Sequence, residues 1–461
     1  MKSIFCVCSL LCTALLFTTP AVAADKPHSA ADYFSRGAGF ADDGENDKAI
    51  ADFTAAIRLK PNFVDALERR AQVYVVKREF DKAIADYTKA IKFSPKNIDA
   101  YDARGVAYFK MGDFDKAVAD HTAAIKIEPN DARAFRHRGF DYVKEENFYQ
   151  AAKDFNEAIR LEPKESEGYR GRALVSAVKG DFDKAMGDYN EAIRLNPKNA
   201  AAFNNRAFFY NEKGDYDKAI NDFTAAIHLK PDEAASFVGR AFARANSGDF
   251  QNGLNDSERA LQLEPKLGEG YRARGYVYWK KDDLEKAIAD DTEAIRLDPK
   301  DHRTYDNRGW CHFKAGRFDD AISDFSKAIE LKPNDPEAHR ARGEAYLLLG
   351  RLENAISDCD EAIRLAPKHF AGFHDRGWAY LRKHDFSRAV DDSTKAIELK
   401  PTDADAYCNR AHSYLKLGQP DKAIADYREA LRLKPGFPEA LSGLGAASAA
   451  RDDSKQDAAK Q

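Results

Sequence analysis

Apolar side chains recur along this chain in two helical stripes that repeat with a fixed period. Prolines at 61, 95, 129, 163, 197, 231, 265, 299, 333, 367, 401 and 435 stand 34 residues apart, which divides the chain into twelve units from 30–63 through 404–437. Numbered 1 to 34 within each unit, positions 4, 8 and 11 are apolar or small at helical spacing, and positions 17, 20, 21, 24, 27 and 28 form a second such stripe. Position 8 is Gly or Ala in all twelve units, position 20 is Ala except at Gly253, position 27 is always Ala, and position 28 is Ile or Leu. Aromatics dominate positions 4 (Tyr33, Tyr101, Phe135, Tyr305) and 11 (Phe40, Tyr74, Tyr108, Tyr380). Small residues let two helices approach closely while the rings fill the grooves between them. Between the stripes, "MGDFDKA" (Met111 to Ala117) supplies a glycine stop and an aspartate start, and the proline at position 32 ends the second helix. The remaining prolines sit near the N-terminus (Pro20, Pro27) or in predicted first helical turns (Pro336, Pro420, Pro438), where proline is tolerated. Twelve helix-turn-helix units without an insertion predict a solenoid.

The unit 98–131 shows Tyr101, Arg104, Gly105, Tyr108, Ala117, Ala124 and Pro129 at these places. This resembles the tetratricopeptide repeat, whose pattern runs W-x2-L-G-x2-Y, then A-x3-F, then P. The resemblance implies an all-α fold: an α-solenoid wound as a right-handed superhelix, each unit stacking on its neighbours in one long domain. After a lead-in over 24–29 and the repeats over 30–437, residues 438–451 are expected to form a capping helix and 452–461 a disordered tail.

Two positions depart from the family pattern in every unit. Position 7, a leucine in the family, is arginine from Arg36 through Arg104 and Arg308 to Arg410. Position 23 is aspartate throughout, from Asp52 through Asp120 and Asp324 to Asp426. A buried charge is tolerable when paired and hydrogen-bonded, and the planar guanidinium suits a carboxylate. A structural ion pair is therefore expected in each repeat, within a unit (Arg308 with Asp324, Arg104 with Asp120) or across units (Arg308 with Asp290). The segment "PEALSGLGAASAAR" (Pro438 to Arg451) reads as one more first helix without a second, and its position 7 reverts to Leu444.

The start of the chain reads differently. Lys2, an apolar run from Ile4 to Phe17 and Ala21-Val22-Ala23 match a cleaved secretion signal over 1–23, which predicts an exported protein, periplasmic or extracellular. Cys6, Cys8 and Cys12 would leave with it; Cys311, Cys359 and Cys408 are too scattered for a disulfide framework and suit buried positions. A net charge of −4, with 32% of residues charged, implies neither nucleic acid nor an anionic membrane surface as partner. No nucleotide-binding loop, nucleophile elbow or metalloprotease motif stands out, so no enzyme activity and no cofactor are expected. His369, His374 and His384 fall at unit positions 34, 5 and 15, which do not converge, and no metal site is expected of them.

Function is then expected on the solenoid surface. The resemblance implies that first helices line the concave groove, where positions 2, 5, 9 and 12 turn away from the core. Arg272, Tyr276, Trp279, Asp306, Trp310, Phe313, Arg340 and Trp378 occupy these positions, with Glu344 alongside, and suit a protein or extended peptide with an apolar anchor and charged flanks. Packing between neighbouring first helices is the competing role. The Lys and Asn of the family's carboxylate clamp are missing at positions 5 and 9. An alternative is a non-catalytic subunit of an envelope-assembly, polysaccharide-secretion or sugar-transfer system. Finally, Arg244, Gly253, Ser257 and Asp291 break the core pattern and predict a compliant joint near 240–295.

Overall fold

The computed structural model describes residues 29–460, with side chains through Asp453. The expected secretion signal and the lead-in as far as His28 lie outside the described residues. Two compact units are present, one ending at Pro197 and one beginning at Lys198. The first holds five helix pairs: α1 (Ala30–Asp42), α2 (Asn46–Leu59), α3 (Val64–Val76), α4 (Phe80–Phe93), α5 (Ile98–Met111), α6 (Phe114–Ile127), α7 (Ala132–Lys144), α8 (Phe148–Leu161), α9 (Ser166–Val178) and α10 (Phe182–Leu195). The second holds seven pairs and a last helix: α11 (Ala200–Glu212), α12 (Tyr216–Leu229), α13 (Ala234–Ser247), α14 (Phe250–Leu263), α15 (Gly268–Lys280), α16 (Leu284–Leu297), α17 (His302–Lys314), α18 (Phe318–Leu331), α19 (Pro336–Leu348), α20 (Leu352–Leu365), α21 (Phe370–Arg382), α22 (Phe386–Leu399), α23 (Ala404–Lys416), α24 (Pro420–Leu433) and α25 (Pro438–Lys460). Within each unit the pairs stack in sequence as an α-solenoid, and no strand occurs among the described residues.

Local signals set the helix ends. The Asn97 side chain accepts from the Ala100 N–H to start α5, and Asp113 accepts from the Lys116 N–H to start α6. Gly112 stops α5 in the left-handed region at φ 84°. Glu128, pushed toward extended geometry by the following Pro129, stops α6 at φ −126° and ψ 95°. The turn position of Gly112 is glycine in eight repeats, but Arg78, Glu146, Asp282 and His384 hold the same left-handed geometry at φ between 57° and 67°.

The core is built from alanines and rings. Ala151 and Ala158 are fully buried on α8, and Phe155 between them packs against glycines from two consecutive first helices. A Cβ at Gly139 would stand 2.7 Å from that ring, and one at Gly171 2.2 Å from it. Either substitution would displace the ring, so these glycines are required for close approach. Tyr427 repeats the arrangement on Gly443 at the end of the chain, where Leu444, Phe437, Ala440 and Ala447 of the last turn and α25 cover the twelfth repeat. Helix α25 continues to Lys460, past Arg451 where the tail was expected to begin.

The pattern-breaking repeat 234–267 is better packed than its sequence implies. Gly253 leaves room that Val277 of α15 enters, and α13 buries eight of its residues. Arg244 Nη1 reaches Asp256 Oδ2 at 2.5 Å, adding a second guanidinium to that carboxylate.

Candidate functional site

The invariant arginines and aspartates form a ladder inside each unit. In every repeat the arginine donates from Nε to one carboxylate oxygen and from Nη2 to the other, for example Arg308 to Asp324 at 2.8 and 2.7 Å and Arg104 to Asp120 at 2.8 and 2.7 Å. The pairing lies within the repeat; Asp290 serves Arg274 instead. The third donor links repeats. Arg308 Nη1 donates to Thr292 at 3.0 Å, Arg104 to Thr88 at 2.9 Å, Arg342 to Ser326 at 3.0 Å and Arg172 to Asn156 at 2.9 Å, each acceptor at position 25 of the preceding repeat. The guanidinium also lies over the ring at position 4, 5.9 Å from Tyr305 in the case of Arg308. The bidentate bond to Asp324, working against burial, raises the Arg308 pKa. The two ends of the ladder are informative. Arg36, in the first described repeat, has no preceding acceptor among the described residues and is 45% exposed against 20% for Arg308. Position 25 of the twelfth repeat is Arg428, where the segment that follows carries Leu444 and needs no acceptor.

The first-helix stripe of the second unit is half-buried along its length. On α15, Arg272 lies 4.9 Å over the Phe242 ring and 3.2 Å from Asp301; burial and the nearby Arg303 lower its pKa. Tyr276 donates its hydroxyl to Asn246 at 2.7 Å and stacks 5.5 Å from Trp279, which also carries Lys280 over its face at 5.1 Å. The Trp279 Nε1 is buried without a hydrogen-bond partner. On α17, Asp306 Oδ1 is likewise buried and unpartnered, and burial, reinforced by Asp335 and Glu337, pushes this carboxyl up to about 6 against the pull of Arg340. Trp310 contacts Phe313 and Phe325 at 5.3 and 5.5 Å beneath Arg340, and both it and Phe313 pack on the Phe325–Ala341 cluster between repeats. Arg340 itself reaches Glu337 and Glu344 at 3.0 Å and Asp375 at 3.5 Å. Trp378 packs on a cluster containing Leu347 and Ala379, with Arg382 over its ring. The structure thus divides the tryptophans: Trp310 and Trp378 join inter-repeat packing, whereas Trp279 stacks on Tyr276 with its polar edge unmatched.

Tetratricopeptide repeat models match at residues 141–200 and 307–370, at 99–131 and 404–437, at 188–221 and at 269–301, and a TPR repeat model matches at 77–112. The chain belongs to the tetratricopeptide repeat family. Among solved structures, a chain of the APC/C hetero-tetramer Cut9-Hcn1 aligns with TM-score 0.52 at 16% identity, covering 91% of this chain and 96% of that one. Yeast Tom70 aligns with TM-score 0.43 at 21% identity, covering 92% and 96%. No curated protein matches. As a tetratricopeptide repeat protein the chain is a scaffold of the kind that binds other proteins. No helix among the described residues is long and apolar enough to cross a membrane.

The three histidines weighed in the sequence stay apart in this tetratricopeptide repeat protein. His369 lies against Phe370, His374 contacts Asp375 at 3.0 Å, and His384 holds a turn. Cys311, Cys359 and Cys408 are buried free thiols, and burial pushes the Cys408 thiol up to about 11. Sequence reasoning missed a different group: Asp102, His121, His137 and Asp141 converge between the third and fourth repeats. The signal was present, because His121 occupies position 24, where Phe155 and Phe325 stand in other repeats.

Proposed function

We propose that the protein is an exported scaffold whose first-helix stripe between Arg272 and Trp378 receives an extended peptide segment of a partner protein. The observation that carries this reading is the pair of unsatisfied polar groups, Trp279 Nε1 and Asp306 Oδ1, beside half-buried rings. A buried donor or acceptor without a partner is costly, and a bound segment offering a carbonyl to the indole and a cation to the carboxylate would satisfy both. The mixed charges of Arg272, Asp306, Arg340 and Glu344 favour a ligand with an apolar anchor and flanks of both signs over a purely acidic tail.

A photocrosslinking residue at position 279 should capture the partner in exported material, whereas one at the exposed second-helix position Glu330 should not. Trp279→Ala combined with Asp306→Asn should lower capture at least tenfold with the repeats still folded. Undiminished capture by that folded variant would move the partner to another face. Export rests on Lys2, the apolar run and Ala21-Val22-Ala23. Intact mass of exported protein should begin at Ala24, and retention of 1–23 would indicate an anchor.

A further inference from the structure

We propose that Asp102, His121 and His137 bind one first-row transition-metal dication of the zinc class, at the junction of α5, α6 and α7. His121 is fully buried and its ring occupies the place of the apolar rings of other repeats, so close to Gly105 that a Cβ there would stand 2.6 Å from Nε2. Its two nitrogens have different surroundings. Nδ1 lies 2.5 Å from Oδ2 of the buried Asp141. Nε2 has no hydrogen-bond partner and stands 3.8 Å from Asp102 Oδ1. The same carboxylate oxygen is 2.7 Å from His137 Nδ1, and one ligand atom from each of the three residues lies within 4.8 Å of the others.

This is the arrangement a metal uses. Zinc bonds to imidazole and carboxylate are about 2.0–2.2 Å long, so its donor atoms stand roughly 3–4 Å apart. Small side-chain shifts bring the three atoms to that spacing. With Asp141 accepting from Nδ1–H, Nε2 keeps its lone pair for a metal, as carboxylates behind metal-bound histidines arrange. Two imidazoles and one carboxylate select zinc, cobalt or nickel over calcium and magnesium, which prefer all-oxygen shells. Two carboxylates are buried here, Asp102 and Asp141. The nearest fixed cation, Arg133, approaches the other oxygen of Asp102 at 3.5 Å and is itself drawn to Asp99 at 2.6 Å. Oδ1 is held by His137 Nδ1 at 2.7 Å and by no fixed cation, so a dication would replace the proton between the two. The His137 side chain is 33% exposed and provides the way in.

The test uses the full chain, stripped with chelator and dialysed. Calorimetric titration with Zn2+ should show one tight equivalent per chain, and Co2+ should give visible absorption bands of a nitrogen–oxygen site. His121→Phe, which restores the ring carried by neighbouring repeats, should keep the helical signal and lose that equivalent. His137→Gln and Asp102→Asn should each weaken Zn2+ at least tenfold, while His369→Gln, outside the cluster, should leave it unchanged. If His121→Phe does not fold, the half-exposed His137→Gln decides alone. A wild-type chain that takes up no stoichiometric Zn2+ would make the cluster a proton-bridged His–Asp network and overturn the proposal. So would equal binding by the folded variants.

Discussion

Arg308 shows at the residue scale how a charge can replace a leucine in a repeat core. Its three donors are divided between Asp324 in its own repeat and Thr292 in the one before, so one side chain both closes a helix pair and joins it to its neighbour. Arg308→Leu leaves the buried Asp324 without its counter-charge and should cost about 3 kcal/mol, as breaking a buried pair does. Replacing Asp324 with leucine as well should recover most of that loss. In double-mutant cycles on local opening, Arg308 should couple strongly to Asp324 and not to Asp290; equal coupling would contradict the intra-repeat geometry. Thr292→Val should cost about 1 kcal/mol for the lost hydrogen bond. Asp306 carries the opposite kind of charge, one whose buried Oδ1 has no hydrogen-bond partner. Its folded pKa, about 6, lies above the unfolded value of about 3.9, so protonation favours the folded state. The stability this group contributes is complete below about pH 4 and is lost as pH rises through 6, by roughly 2–3 kcal/mol at pH 7. Hydrogen exchange of α17 should accordingly show cheaper opening at pH 7.5 than at pH 5, and Asp306→Asn should flatten that dependence. A flat profile in the unmodified protein would mean that Asp306 is solvated.

Helices and their turns were legible in the sequence wherever a residue type carries its own backbone geometry. The prolines at position 32 and the glycines at position 15 mark ends that the structure reproduces, since both residues act through φ itself. The four repeats with Arg78, Glu146, Asp282 and His384 at that turn were not legible as left-handed, because the geometry there is held by backbone hydrogen bonds of the turn rather than by the residue type, as from Glu79 N–H to the Tyr74 carbonyl at 2.8 Å. That mismatch has a measurable consequence. A non-glycine residue in the left-handed region is disfavoured by about 1–2 kcal/mol, offset in part by the greater unfolded-state freedom of glycine. His384→Gly and Arg78→Gly should each stabilise their repeat by about 0.5–1 kcal/mol. A loss of stability in either would show that the replaced side chain contributes more through its contacts than the turn costs. At the other end of the chain, polarity after Arg451 suggested disorder, yet alanine, lysine and glutamine are good helix formers and α25 runs on to Lys460.

The fold of the whole molecule was legible from periodicity alone, because each repeat contacts little beyond its neighbours and one pattern specifies every copy. The site was less legible: position in the repeat predicts which residues share a stripe, but not which side chains lack partners. Trp279 at position 12 and Trp310 at position 9 share one stripe in the sequence, yet only Trp310 packs on Phe325 and Ala341, and the stripe alone does not say which. The same limit applies to the compliant joint expected near 240–295. In 234–267 the pattern breaks compensate one another, with Arg244 bound to Asp256 and Val277 filling the space beside Gly253. The uncompensated residue is Asp291 in the next repeat. It is 1% exposed, its Oδ1 has no hydrogen-bond partner, and burial raises its pKa well above the carboxylate range despite the opposite charge of Arg272. A raised folded pKa means that this carboxyl destabilises its repeat increasingly as pH rises, so weakness in the solenoid should centre on α16 and grow with pH. The pattern itself supplies the repair. Asp291 lies against Gly275 as Phe325 lies against Gly309, so Asp291→Phe places a ring over a glycine already suited to one. In a chain whose stability sums over repeats and their interfaces, the gain should be local: exchange in α15 and α16 slowed about tenfold at pH 7.5, with 404–437 unchanged. Exchange in α16 already as slow as in α24 before substitution would show that Arg272 neutralises Asp291, and would remove the weak point.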